Sequence, residues 1–383
     1  MRFVLLLLLI AAAAAAQPGP ADLLWTKRVG AGFAAPVVAQ GKLLLFHRVG
    51  SSEVLDALDP ATGNRIWHFE GPTTYRDDFG FDEGPRSAPA VAAGRVFTYG
   101  AEGRLTAVDL ATGRKLWSVD VMKQYAVEKA FFGAAGTPLV YENYVMVNAG
   151  GKNGAGIVAF DTTTGRESWK ATNDEAGYSS GTLAVIHGKT LALFFTRNGL
   201  VALDPASGSV VQQIRHRSRS RASVNAATPL AWNNQVFVSA SYSTGAILLE
   251  AQPAGPWKSI WAGDESLSNH YSTSVRSGEY LYGFHGRQEE GQELRCVEWK
   301  TGHVMWKQEG FGAGTVLLAG SQLVITKESG EVVLADASPR GFQPKSTRRL
   351  IPGVVRAYPA LSEGRFFLRN GDTLAGVRLV TQP

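Results

Sequence analysis

The stretch Val108-Asp109-Leu110-Ala111-Thr112-Gly113-Arg114-Lys115-Leu116-Trp117 decides the fold, because the chain repeats it. The same phrase runs from Leu58-Asp59-Pro60 to Gly63 and Trp67, and from Phe160-Asp161-Thr162 to Gly165 and Trp169. Self-similarity at a spacing of roughly fifty residues signals an array of alike supersecondary units. The grammar is constant. Alternating apolar residues lead into an Asp, a Thr-Gly turn follows, and a second strand ends near a Trp. Gly permits a positive φ at the turn. The Asp and Thr side chains bond nearby backbone groups. The Trp offers a large apolar face to the neighbouring unit.

Looser copies extend the array. Leu203-Asp204-Pro205-Ala206-Ser207-Gly208 keeps the turn, but Gln212 stands in the Trp position. Val297 to Gly302 leads to Trp306, Glu250 leads to Trp261, and Leu334-Ala335-Asp336 is looser still. Upstream of each phrase lies a short apolar run opened by a small residue, often a Pro. Ala35-Pro36-Val37-Val38, Ala88-Pro89-Ala90-Val91 and Thr137-Pro138-Leu139-Val140 are the clearest. Five more begin near Gly181, Thr228, Thr273, Gly314 and Tyr358. Pro is acceptable at the first residue of a strand. Each unit is therefore a four-stranded antiparallel sheet, the size of a propeller blade. The ends are complementary. Leu23-Leu24-Trp25 resembles an outer strand without its first three, and the last unit lacks its outer strand. The reading is an all-β, eight-bladed β-propeller closed by the N-terminal strand joining the C-terminal blade, which removes two free edges. Trp25, Trp67, Trp117, Trp169, Trp261 and Trp306 are its structural tryptophans.

The phrase Ala-x-Asp-x-x-Thr-Gly-x-x-x-Trp, carried by Ala107 to Trp117 and Ala159 to Trp169, resembles the repeat of pyrroloquinoline-quinone (PQQ)-type propellers. The resemblance covers nearly the whole chain and implies the propeller fold. That family includes quinone-dependent alcohol dehydrogenases and the BamB-type scaffold of outer-membrane protein assembly. The dehydrogenases are longer. Many carry two adjacent cysteines against the quinone, which the single Cys296 cannot supply. No Glu, Asn and Asp set stands out for the calcium that polarises the quinone. The BamB-type protein is lipid-anchored through an N-terminal cysteine, which this sequence does not show.

The 383 residues are 45% hydrophobic and 19% charged, with a net charge of +5, which demands no nucleic-acid partner. Arg2, the apolar run Phe3–Ile10 and the alanines 11–16 have the form of a signal peptide over residues 1–16, cleaved before Gln17. Residues 17–383 then form one propeller domain. The expectation is a periplasmic or secreted monomer without a membrane anchor. Cys296, within an apolar strand, reads as a buried structural thiol.

Function is expected on the loops that join each blade to the next, around the channel mouth. Arg86 and Arg356 each precede a blade-opening Pro by three residues, so both point at the mouth. Tyr178, Asn225, His270 and Tyr271 stand at similar positions, and His285 lies on the following strand. The loop Tyr75–Arg86 holds four acids and reads as a solvated acidic loop. Arg215, Arg217, Arg219 and Arg221 form a polar loop suited to an acidic partner or glycan. No nucleophile elbow, zinc-protease motif or phosphate loop occurs. No catalytic residue, metal or cofactor is therefore expected. The leading reading is an exported noncatalytic scaffold that binds a protein or glycan. The alternative is a PQQ- and calcium-dependent oxidoreductase using the channel.

Overall fold

A computed structural model of the chain describes residues 23–220 and 224–379. The signal-peptide reading, the cleavage point and Arg221 lie outside those residues. Eight four-stranded antiparallel sheets follow one another around a central axis. Blades 1 to 7 occupy residues 37–72, 90–120, 139–171, 182–215, 230–263, 275–308 and 314–349. Blade 8 takes three strands from residues 360–378, and Leu23–Arg28 pairs antiparallel with Thr373–Arg378 as its fourth. The ring is thus closed by the strand that Trp25 announces. The only helical pieces among the described residues are Val121–Gln124 and a 3₁₀ turn at Gln288–Glu290. Among the described residues, no helix is long and apolar enough to cross a membrane.

The core lies between blades. Middle strands such as Lys42–Val49 are buried almost throughout, because both their faces meet a neighbouring sheet. Outer strands such as Arg65–Pro72 alternate, with Trp67 buried between exposed neighbours. Cys296 is fully buried, and burial pushes its thiol up to about 12.

The repeated phrase is an inter-blade staple. Asp59 Oδ1 accepts from the N–H groups of Ala61 and Thr62, and Gly63 adopts φ +70°. On the preceding outer strand, a β-bulge re-aims the indole towards this turn. Trp25 Nε1 donates to Pro60 O at 3.1 Å, so blade 8 is tied to blade 1. Trp67 donates to Leu110 O at 3.0 Å, Trp117 to Thr162 O at 3.0 Å and Trp169 to Pro205 O at 3.2 Å. Trp261 and Trp306 donate to Trp299 O and Ser338 O, both at 2.8 Å. The turn glycine is required by the indole as well as by φ. A Cβ on Gly113 would stand 2.5 Å from the ring of Trp67, and one on Gly165 would stand 2.7 Å from Trp117.

Candidate functional site

Blade-opening residues from seven blades converge on the axis. Ala35, Arg86, Ala135, Tyr178, Ala226, Tyr271 and Arg356 each contribute, and together with the loops they enclose a cavity of about 380 Å³. A larger cleft of about 610 Å³ lies off the axis, between residues 122–135 and the turn at residues 148–153. The axial mouth is the stronger candidate, because the whole ring fixes its geometry and its lining joins aromatics to a few polar groups.

Two guanidiniums flank the mouth, and Phe33 sits between them at 5.7 Å from each. Arg86 Nη2 donates to Asp77 Oδ2 at 3.3 Å and to Asp82 O at 3.1 Å, and also stacks on Phe132 at 5.4 Å. Arg356 Nε donates to Glu328 Oε1 at 3.0 Å and lies 6.0 Å from the Phe81 ring centroid. Glu328 also accepts from Tyr271 Oη at 2.9 Å and Gln288 Nε2 at 3.1 Å. Burial, with the Glu328 charge beside it, raises the Tyr271 phenol well above its ordinary range, so it remains a hydrogen-bond donor.

His270 is buried, and burial lowers its pKa, which favours the neutral ring. Its Nδ1 accepts from the Gln288 backbone N–H at 3.3 Å, which leaves the proton on Nε2. That proton faces Tyr242 Oη at 3.1 Å. The Tyr242 hydroxyl then accepts from the ring and keeps its own proton to donate elsewhere. Tyr178 Oη accepts from Phe132 N at 3.1 Å and holds the loop that carries Phe131 and Phe132.

Above the mouth the loop aromatics form a collar. Phe79 contacts Phe131 at 5.8 Å and Phe132 at 5.5 Å, and Phe81 contacts Phe132 at 6.2 Å. Phe79 is 53% exposed and Phe81 58% exposed. The loop that carries them is exposed at residues 78–81, as its acidic composition suggests, but not all of its acids are solvated. Asp77 is buried and accepts from the N–H groups of Phe79, Phe81 and Asp82 as well as from Arg86. Burial alone would raise its carboxyl, but these donors outweigh it and hold the pKa below the usual carboxylate value. Asp82 accepts from Gly32 N and Gly84 N, Glu83 pairs with Arg76, and Asp78 pairs with Lys129. The acids build the loop and present the phenylalanines.

Five residues singled out in the sequence line this cavity: Arg86, Tyr178, His270, Tyr271 and Arg356. Two do not. Asn225 is buried, and its Nδ2 donates to Thr196 O at 2.8 Å and His216 O at 3.2 Å, tying loops together. His285 lies in a separate cleft, where Nδ1 accepts from Ser268 N at 3.1 Å and burial lowers its pKa. In the arginine loop, Arg217 donates to Asn198 Oδ1 at 2.7 Å and Glu175 Oε1 at 3.1 Å, while Arg215 and Arg219 are exposed. Phe33, Phe81, Phe132 and Glu328 are site residues that the repeat pattern did not reveal. The loop pairs Phe79-Gly80-Phe81 and Phe131-Phe132, apolar where no strand alternation explains them, were the available signal.

Among the described residues, no three His, Cys, Asp or Glu side chains converge as a metal site. The acids at the mouth are already engaged: Glu328 by Arg356, Tyr271 and Gln288, Asp77 by Arg86, and Glu289 by Arg287. This donor set does not fit the calcium of a quinone site.

The family profile described as "Outer membrane protein assembly factor BamB" matches residues 50–308. Quinohemoprotein alcohol dehydrogenase ADH-IIG of Pseudomonas putida is 29% identical over 141 residues, which cover 36% of this chain and 19% of the dehydrogenase. Outer membrane protein assembly factor BamB of Kangiella koreensis is 32% identical over 127 residues, covering 33% of this chain and 31% of that protein. The matched stretches therefore span less than a third of these relatives. Among solved structures, BamB from Moraxella catarrhalis superposes with a TM-score of 0.69 at 14% identity, over 94% of this chain and 98% of that one. At that identity the likeness shows the fold.

Proposed function

Because the chain belongs to the propeller family described as outer membrane protein assembly factor BamB, we propose that it is an exported, noncatalytic scaffold that holds a segment of a partner protein on its loop face. One observation carries this reading. An exposed aromatic collar, Phe79 and Phe81, stands over an axial mouth flanked by Arg86 and Arg356. Half-exposed phenylalanines over a rigid mouth offer apolar area, at about 25 cal/mol per Å² buried. Stacked guanidiniums add anchors of the kind that dominate interfaces. The ring holds the loops in register, so little ordering cost opposes binding. The exposed Arg215 and Arg219 extend the same loop-rich side of the chain towards acidic groups on a partner or glycan.

The rival reading, a quinone-dependent oxidoreductase, draws on the sequence match to the alcohol dehydrogenases. The donor chemistry of the mouth speaks against it. Incubation of the purified protein with PQQ and Ca²⁺, followed by dye-linked alcohol oxidation, tests both readings. The scaffold reading predicts no quinone-dependent turnover above a boiled control. Turnover with alcohol, together with a shifted quinone absorbance, would replace the scaffold with an enzyme.

A further inference from the structure

The seams of the ring are not all filled. At six of them an indole from the outer strand reaches the turn of the next blade. At the seam between blades 4 and 5, Gln212 takes the Trp position. Trp257, buried in the adjoining core, donates its backbone N–H to Gln212 Oε1 at 3.3 Å, so an indole still fills the gap. Between blades 7 and 8 no indole arrives. Ser346 stands opposite Leu334, as Trp67 stands opposite Ala57.

The backbone position that accepts the indole at the other seams has its counterpart in blade 8. Pro60, Leu110, Thr162 and Pro205 each lie three residues beyond the position paired with a Trp or its substitute. In blade 8 the same count from Gly376 reaches Leu379. Ser346 and Leu379 together line a cavity of about 140 Å³, with Leu334, Leu350 and Val377 as its apolar walls. The notch therefore lies where the other seams seat an indole. An apolar cavity of about 150 Å³ holds one aromatic ring, so the volume matches a single side chain. The rim is basic. Arg348 and Arg349 on the outer strand and Arg378 on blade 8 are exposed. Lys345 and Arg365 stand nearby, paired with Asp336 and Glu363.

We propose that the notch between blades 7 and 8 is a docking site for one tryptophan side chain carried on an acidic segment of a partner protein. The indole enters the volume that the chain's own tryptophans fill at the other seams, and the flanking carboxylates meet the arginine rim. This surface lies on the outer edge of the ring and is independent of the axial mouth.

The test uses the full chain and a dye-labelled peptide, Asp-Glu-Trp-Glu-Asp, followed by fluorescence anisotropy. The proposal predicts saturable binding that weakens at least tenfold when Ala replaces the central Trp. Ser346→Trp fills the notch from within and should abolish peptide binding while raising Tm. As a second variant, Arg348→Glu with Arg378→Glu should weaken the Trp peptide at least tenfold without lowering Tm by more than a few degrees. Equal binding of the Trp and Ala peptides would reduce the site to a charged surface and overturn the proposal. Unchanged binding to Ser346→Trp would also overturn it. So would absence of binding, the result expected if residues beyond Leu379 or a second copy of the chain occupy the notch.

Discussion

The seams and the axial mouth are built by the same repeats, and both use aromatic side chains, but in opposite states. At a filled seam the ring is buried and satisfied. Trp67 is 9% exposed, its N–H meets Leu110 O, and its face rests on Gly113. At the mouth, Phe79 and Phe81 are more than half exposed and rest on each other and on Phe132 of the neighbouring loop. The difference separates aromatic residues that hold the ring from those that offer themselves to a partner. It also explains why the repeated phrase identifies the architecture and carries no chemistry of its own.

The comparison breaks most visibly at the seam. Trp67→Ala removes a buried indole and its hydrogen bond and should cost about 3–5 kcal/mol in urea unfolding. A loss below about 1 kcal/mol would mean that the staple is decorative. The same seam carries Glu53, whose side chain accepts from Ala101 N across the blades at 2.8 Å. Burial raises its pKa from 4.5 to about 7. The folded state therefore favours the protonated form. The stability from this group is fully present below pH 4.5 and is lost as the pH rises through about 7. Glu53→Gln should flatten that loss and leave the variant more stable than the wild type at pH 8 by on the order of 3 kcal/mol. Parallel stability–pH curves for the two proteins would refute this assignment.

A smaller effect sharpens the same picture. Gly113→Ala places a Cβ against Trp67 at φ +73° and should cost about 1–3 kcal/mol. Gly94→Ala, at φ +72° with nothing within 4 Å of the added carbon, feels the backbone strain alone and should cost less. Equal losses would show that the indole contributes nothing to the glycine requirement. The smallest stability effect belongs to the mouth. Phe79→Ala with Phe81→Ala should change unfolding by less than about 0.5 kcal/mol per site, as for exposed positions. A loss as large as that at Trp67 would make the collar part of the core.

The ring was legible in the sequence because its period is. Eight opening runs, six tryptophans and the orphan strand at Trp25 all follow one register, and the closed ring satisfies each. The acceptor of each indole was not legible, because it lies in the next repeat rather than beside the Trp. Four mouth residues, Arg86, Tyr178, Tyr271 and Arg356, were legible because each stands four residues before its blade-opening strand, and His270 adjoins one of them. Asn225 and His285 share that neighbourhood, but their side chains turn to backbone partners elsewhere. The collar escaped because long loops, rather than the repeat, bring Phe81 and Phe132 to Phe33. The acids of residues 77–83 drew attention by composition, yet their carboxylates are spent on backbone N–H groups and local cations. Composition reports charge but not what satisfies it.

The most direct test places a benzophenone-bearing amino acid at position 81, and in a control at position 66 on the outer strand of blade 1. Ile66 is 50% exposed and so resembles Phe81 in accessibility, though not in place. After irradiation of cells that produce the protein, the account predicts a discrete protein adduct from position 81 and none from position 66. No adduct at position 81, or the same adducts from both positions, would contradict a partner held at the axial mouth.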